Sequence, residues 1–242
     1  MLTGLLILLA AVGLYAAART TSAFAVERIA VEGAPPDVAA DVREALAPAL
    51  GESLLGIDLA GLAHRVARVP MVAAASFDRG FPHTLRIAVV PEVPVAVLRQ
   101  GGSSWLAAEG GRVVAELDKG ERPGLPRVWL KRDVEIVLGE RVGGLPRHAI
   151  MAVSPLRSQP LPAAVGSVVA TRSELTLVLR TGLEVRLGDG SDLPVKLEVA
   201  RHVLPKLGDS TGYVDLSVPE RPVAGSTLDS QVEVEVSAST AP

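Results

Sequence analysis

The side chains of this chain that could do chemistry are few, and their spacing predicts neither a catalytic nor a metal centre. None of the histidines has a second ligand four positions away or the neighbouring glutamate of a helical zinc site; they are His64, His83, His148 and His202. The acidic loop at 188–192 lacks the alternating ligands and the distant glutamate of a calcium-binding loop, so we predict a turn followed by a helix cap. Asp215 alternates with apolar residues on a predicted strand, and Glu220 follows Pro219 in a predicted turn. We therefore do not expect these two carboxylates to act as a general acid and base.

The composition excludes several further classes of function. The chain has 242 residues and no cysteine, which removes disulfides, cysteine-based zinc sites and a cysteine nucleophile. Its net charge of −3 and its aromatic content of 3% argue against nucleic acid as a partner. No phosphate-binding or dinucleotide-binding glycine motif is present. We therefore expect a non-enzymatic protein without a cofactor.

The elements that must position any binding site begin with an apolar leader. Residues 2–18 carry no charge and, as a helix, would extend about 25 Å, close to the thickness of the hydrocarbon core of a bilayer. We predict a single transmembrane anchor over residues 1–19. The alternative is a cleaved signal peptide with Ala23 and Ala25 at the cleavage site. Because no basic residue precedes Leu2 to set the orientation, we expect that a cytoplasmic tail precedes Met1 in the native protein.

The next segment predicts a small α+β unit in the order β-α-α-β-β. Val38, Val42 and Leu46 recur with helical spacing after a pair of prolines, and Asp58 is suited to cap a second helix. The expected elements are a strand at 24–31, helices at 38–50 and 58–69, and strands at 72–78 and 84–90. Three strands covered by two helices on one face are the expected architecture.

Beyond Pro94, short apolar runs alternate with glycine and proline, which predicts an antiparallel β-domain with flanking helices. The expected strands lie at 95–99, 104–107, 112–114, 128–130, 134–138, 165–171, 175–179 and 183–187. Thr181 and Gly182 are expected to join the last two as a hairpin. We expect one helix after Pro146, and a second over about 193–207, with Asp192 as its N-cap and a break near Pro205.

Two ordered sets of residues carry a resemblance to a known family. The run at 77–87, preceded by 57–59 and 69–72, resembles a POTRA domain. The runs at 182–189, 213–216 and 219–222, with Leu193, Lys196 and Leu197 between them, follow the β-domain of the bacterial cell-division proteins FtsQ (DivIB). The resemblance implies a transmembrane anchor at 1–19, a POTRA domain at 24–93, a β-domain at 94–224 and a tail at 225–242 that adds an edge strand or stays flexible.

The resemblance also implies a function and its partners. It implies a bitopic protein of the cell membrane at the division septum, with a cytoplasmic N-terminus, that links cytoplasmic division proteins to extracytoplasmic cell-wall synthesis. The implied partners are FtsB (DivIC) and FtsL, with other division proteins at the POTRA domain. A predicted last strand would pair with a partner segment through an open edge, or Tyr213 and Leu216 would instead pack the core. The candidate partner-binding residues are Tyr213, Val214, Asp215, Leu216, Ser217 and Val218.

Two other functions remain compatible with the sequence. One is a POTRA-bearing chaperone or translocation module of an outer-membrane assembly system, although only one such unit is predicted and the remainder lacks the alternation of a large barrel. The other is an exported soluble binding protein released by signal cleavage.

Overall fold

A computed structural model of the protein describes residues 22–121, 123–208 and 211–226, with positions 3–5, 7, 9, 10, 12 and 13. The chain divides into two compact units, Met1–Glu92 and Val93–Pro242. Most of the predicted anchor at 1–19, and the tail from 227 onward, lie outside the described residues. Within the described part, no helix has the length and apolarity needed to cross a membrane.

The first unit has the predicted β-α-α-β-β order. Its elements are β1 (Arg28–Glu32), α1 (Pro36–Leu46), α2 (Leu59–Val66), β2 (Val72–Gly80) and β3 (Thr84–Pro91). The sheet order is β1-β3-β2, with β1 parallel and β2 antiparallel to β3. The α+β prediction is confirmed for this unit.

Simple local chemistry explains these elements. Alternate residues of β3 are buried, and Leu85 and Ile87 are fully inaccessible because they face the helices. Helix α1 begins at Pro36, where a missing N–H costs nothing. The side chain of Asp58 accepts a hydrogen bond from the Ala60 N–H (3.1 Å) and caps α2 as predicted.

The second unit is built on one nine-stranded sheet. Its strands are β4 (Pro94–Gln100), β5 (Ser103–Ala108), β6 (Val113–Glu116), β7 (Arg127–Trp129), β8 (Val165–Ala170), β9 (Leu175–Leu179), β10 (Glu184–Arg186), β11 (Tyr213–Asp215) and β12 (Val223–Gly225). They lie in the order β12-β11-β10-β9-β8-β7-β4-β5-β6. Its α-helices are α3 (Gly144–Val153) and α4 (Leu193–Val203).

This sheet is mixed, which corrects the prediction of an antiparallel domain. The pairs β4–β7, β7–β8 and β10–β11 are parallel. A parallel pair needs a crossover connection, and the two helices expected to flank the sheet provide two of them. Helix α3 connects β7 to β8, and α4 connects β10 to β11.

One strand prediction in this unit is wrong, and one observed strand was not predicted. Residues 134–138 form no strand, because the segment is held by a side chain instead: Gln100 Nε2 donates to the carbonyls of Lys131 (2.7 Å) and Val134 (2.8 Å). Strand β12 was not predicted, since three residues ending in glycine carry no readable alternation. After α4, a short 3₁₀ turn at Leu204–Lys206 gives the break expected near Pro205.

The registers of the larger sheet define its two faces. One row of paired residues crosses six strands and belongs to the core formed with α3 and α4; it consists of Leu98, Val128, Val168, Leu177, Val185 and Val214. The neighbouring row faces away from that core and consists of Val97, Arg127, Ser167, Val178, Glu184, Tyr213 and Gly225. We call this second side the outer face.

Candidate partner-binding edge of the larger sheet

The predicted binding residues do not form the edge of the sheet. Tyr213–Asp215 make up β11, which pairs with β10 on one side and with β12 on the other. The premise that this strand is the last one is therefore wrong, and within the described residues β12 is the outermost strand on this side of the sheet. The chain turns back after β11 because Pro219 and Pro222, which cannot donate ladder hydrogen bonds, occupy the connection.

The six candidate residues separate into core and surface. Val214 and Leu216 are fully buried and belong to the hydrophobic core. Ser217 and Val218 are exposed, and Tyr213 and Asp215 are partly exposed. Of the two alternatives left open by the sequence, core packing holds for Leu216, whereas Tyr213 lies on the outer face.

Tyr213 is held in place from both sides. The Arg186 guanidinium carbon lies 4.3 Å from the centre of the Tyr213 ring, a cation–π contact, and Arg186 also donates to Glu184 Oε2 (3.2 Å). On the other side, the ring covers Gly225, its partner on β12. A Cβ added at Gly225 would lie 2.6 Å from the Tyr213 hydroxyl oxygen, so only glycine fits beneath the ring in this arrangement.

Among the described residues, no strand pairs with the side of β12 that faces away from β11, and β12 carries no charge; we call this side the open edge. Val223 and Ala224 are exposed, Val223 to 57%, and neither carries a group that would discourage strand addition. The Glu184 N–H bonds to the Gly212 carbonyl and the Leu216 N–H to the Arg186 carbonyl, so alternate residues of β11, Val214 included, face β10. Ala224 pairs with Val214, and its own N–H and C=O therefore point away from β11.

A buried lysine supports the segment that leads to this edge. Lys196 on α4 is 1% exposed, its ammonium donates to the Leu187 carbonyl (2.7 Å), and it lies 3.6 Å from Asp189 Oδ1. The loop containing Asp189 packs on the segment after β11, because a Cβ added at Gly188 would lie 2.8 Å from Ser217 Cβ. Lys196 thus holds the loop against which Ser217, just after β11, packs.

The acidic loop at 188–192 precedes α4 as predicted, but its side-chain hydrogen bonds differ from the predicted helix cap. Asp192 occupies the N-cap position of α4, but its side chain makes no capping hydrogen bond. Asp189 Oδ1 instead accepts from the Ser191 N–H (3.0 Å) and hydroxyl (2.7 Å). These hydrogen bonds lower the pKa of the Asp189 carboxyl, and the charge of Lys196 adds to the effect.

Two of the histidines, His83 and His202, lie within hydrogen-bond distance of backbone carbonyls. His83 Nδ1 lies 3.0 Å from the Ala25 carbonyl, and His202 Nδ1 lies 2.9 Å from the Glu198 carbonyl one turn earlier on α4. Within the described ranges, no group of three or more histidine or acidic side chains is placed to hold a metal ion.

The fold joins a β-α-α-β-β unit, the order expected for a POTRA domain, to a domain built on one large sheet. Two family models match the chain in sequence order. The POTRA domain of FtsQ type matches residues 24–90, and the C-terminal domain of cell division protein FtsQ/DivIB matches residues 96–217. The chain belongs to the FtsQ/DivIB family of cell-division proteins, which confirms the resemblance seen in the sequence.

Individual relatives agree with this assignment. The cell division protein FtsQ of Mycobacteroides abscessus is 28% identical over 223 residues, which cover 90% of this chain and 66% of the relative. That of Streptomyces collinus is 28% identical over 206 residues, covering 82% of this chain and 76% of the relative. That of Rhodothermus marinus is 34% identical over 146 residues, covering 59% of this chain and 47% of the relative.

Proposed function

We propose that this protein is a membrane-anchored, non-enzymatic scaffold of the bacterial division complex. It links cytoplasmic division proteins to cell-wall synthesis outside the membrane, at the septum. Its POTRA domain, 24–93, and its β-domain, 94–224, both lie on the extracytoplasmic side. Its partners are FtsB (DivIC) and FtsL at the β-domain, with other division proteins at the POTRA domain.

The observation that carries the proposal is the uncharged open edge of β12. An extended segment of FtsB or FtsL would add to the sheet beside β12 and pair with the Ala224 N–H and C=O. Val223 and Val218, 57% and 53% exposed, would supply apolar contact to the added strand. Tyr213, an amphipathic ring already ordered by Arg186, would anchor the partner on the outer face. The binding surface thus keeps Tyr213, Ser217 and Val218 from the sequence prediction and adds β12.

The apolar leader supports anchoring by a single helix. The described positions between 3 and 13 are helical, and Leu5, Ile7 and Leu9 are 56%, 71% and 62% exposed. Apolar side chains exposed in this way would be covered by lipid. Fractionation with an alkaline carbonate wash tests the anchor: we expect the native protein to stay in the membrane pellet. Release into the wash, with a mature N-terminus near Ala25, would instead identify an exported soluble protein.

Family membership favours division over outer-membrane assembly. The matching POTRA model is of FtsQ type, and the curated relatives that match are named as division proteins. The chaperone or translocation role in outer-membrane assembly therefore has no observation in its favour.

The edge is tested by Val223→Lys in the full chain, purified in a neutral detergent and presented to the FtsB–FtsL pair of the same organism. A lysine on an edge strand opposes strand addition, so we expect the dissociation constant to rise about ten-fold. Biolayer interferometry measures the dissociation constant, and a thermal melt checks that folding is intact. The matched control is Val195→Lys on α4, where the native valine is 52% exposed.

If both variants are folded and both bind the partner as tightly as the native protein does, β12 is rejected as the partner site. Equal loss in both variants would point to net charge instead of the edge.

A further inference from the structure

A second surface of the larger sheet carries cations without anionic partners. It is a groove of about 650 Å³ on the outer face, where β4 and β7 run side by side. Three arginines line it, Arg99 from β4, Arg127 from β7 and Arg180 after β9, together with Trp129 and one carboxylate, Glu121. We call this surface the arginine groove. It lies away from the edge described above, since β7 is five strands from β12, or about 24 Å.

The three arginines share one groove, and among the described residues none of them is paired with a carboxylate as Lys196 is. Lys196 is buried and satisfied by a carbonyl and a carboxylate. In the described part of the chain, none of the groove arginines lies within ion-pair distance of a carboxylate, and the buried Nε of Arg99 has no hydrogen-bond partner. Arg180 donates through Nη2 to the Gly124 carbonyl (2.8 Å), which leaves its remaining donors available.

Trp129 gives the groove an apolar element. Its side chain is 58% exposed, although tryptophan ordinarily buries most of its surface, and the Arg99 guanidinium carbon lies 5.6 Å from the ring centre. Val97 and Val178 belong to the same outer row as Arg127 and line the groove. The surface therefore combines guanidinium groups with an exposed ring and an apolar floor.

We propose that the arginine groove binds an extended acidic segment of a partner protein. Guanidinium groups pair with carboxylates through two parallel hydrogen bonds, and three neighbouring arginines without a carboxylate partner in the described ranges are complementary to a negative segment. An apolar side chain of the same segment would cover Trp129. A polyphosphate would match the charge but leave the ring and the valines uncovered, so a peptide fits the whole groove better. This interaction is additional to the one at β12.

Fluorescence anisotropy of a labelled peptide tests the proposal with the full chain in a neutral detergent. The probe alternates Glu and Thr around one central Leu, and a second probe carries Lys in place of each Glu. Arg127→Glu and Trp129→Ala are the test variants, because both side chains are exposed. The control is Arg172→Glu, the same charge change at an exposed position of the turn between β8 and β9.

The proposal expects saturable binding of the Glu probe and none of the Lys probe. Arg127→Glu should weaken binding about ten-fold and Trp129→Ala by a smaller factor, while Arg172→Glu leaves it unchanged. Absence of binding by the Glu probe would overturn the proposal. So would equal weakening by the two arginine variants, or displacement of the Glu probe by polyphosphate that Trp129→Ala does not affect.

Discussion

The two edges of the nine-stranded sheet are treated differently by the fold. At β6, the segment at 139–142 runs alongside the strand: the Val113 N–H donates to the Glu140 carbonyl and the Gly139 N–H donates to the Val113 carbonyl, both at 2.8 Å. At β12, the described residues provide no strand or loop on the side away from β11.

An exposed edge invites unwanted pairing, so proteins ordinarily cover it, charge it or shorten it. This sheet covers β6, whereas β12 is short but uncharged and exposed. The first unit provides a further contrast, since its edge strand β1 begins at Arg28 and ends at Glu32. A partner that pairs with β12, as proposed above, would account for this difference between the edges.

A pair of proline substitutions gives the largest expected difference between the two edges. Val113→Pro removes a donor that is bonded to Glu140, along with buried side-chain contact, and should lower the free energy of unfolding by about 3 kcal/mol or more. Ala224→Pro removes a donor that points away from the sheet, and should cost about 1 kcal/mol or less. Urea unfolding measures both, and equal costs would show that β12 is not an open edge.

A pair of alanine substitutions separates the core from the edge within one segment. Leu216 is fully buried, so Leu216→Ala should lower the free energy of unfolding by about 3 kcal/mol. Val218 is 53% exposed, and Val218→Ala should change it by less than about 0.5 kcal/mol while weakening the partner complex. Urea unfolding and interferometry provide the two measurements. A large loss of stability in Val218→Ala would place that residue in the core.

The contact between Tyr213 and β12 is tested by Gly225→Ala. The added methyl group must displace the ring, at a cost of about 1 kcal/mol in unfolding free energy, and partner binding should weaken with it. The control is Gly102→Ala, since a Cβ at that exposed turn would meet no atom within 4 Å. Similar results for the two variants would mean that the ring is not fixed over Gly225.

The smallest expected effect concerns the acidic loop. Folding lowers the pKa of the Asp189 carboxyl. The ionised carboxylate therefore stabilises the fold at pH values above the ordinary pKa of an aspartate. This contribution disappears as the pH falls through the lowered pKa. The native chain should therefore be more stable than Asp189→Asn at pH 7, and the difference should shrink in acid. Thermal melts across that range provide the measurement, and a constant difference would assign it to something other than ionisation.

Much of the fold could be predicted because local patterns and tertiary structure agree. The alternation of Leu85, Ile87 and Val89 defines a strand with one buried side, and Asp58 marks the start of α2. Both features are determined by residues that are close together in the sequence, so the sequence alone is enough to predict them.

The remainder depends on partners distant in sequence. Whether β7 pairs in parallel with β4 is decided by the crossover between them, which no property of Val128 reveals. Residues 134–138 are apolar enough for a strand, but the Gln100 side chain, distant in sequence, bonds the carbonyls of Lys131 and Val134 at the start of this segment. The arginine groove was missed for the same reason, although a signal was available: Arg127 and Trp129 flank Val128 as exposed neighbours on a short strand.

The brevity of β12 limits what a strand added beside it can achieve. Three residues offer Ala224 as the only residue whose two backbone groups both point outward, and each backbone hydrogen bond contributes about 1 kcal/mol net. Pairing of that kind orients a segment but does not retain it for long. A lasting complex at this edge would have to gather most of its strength from side chains and from simultaneous attachment elsewhere.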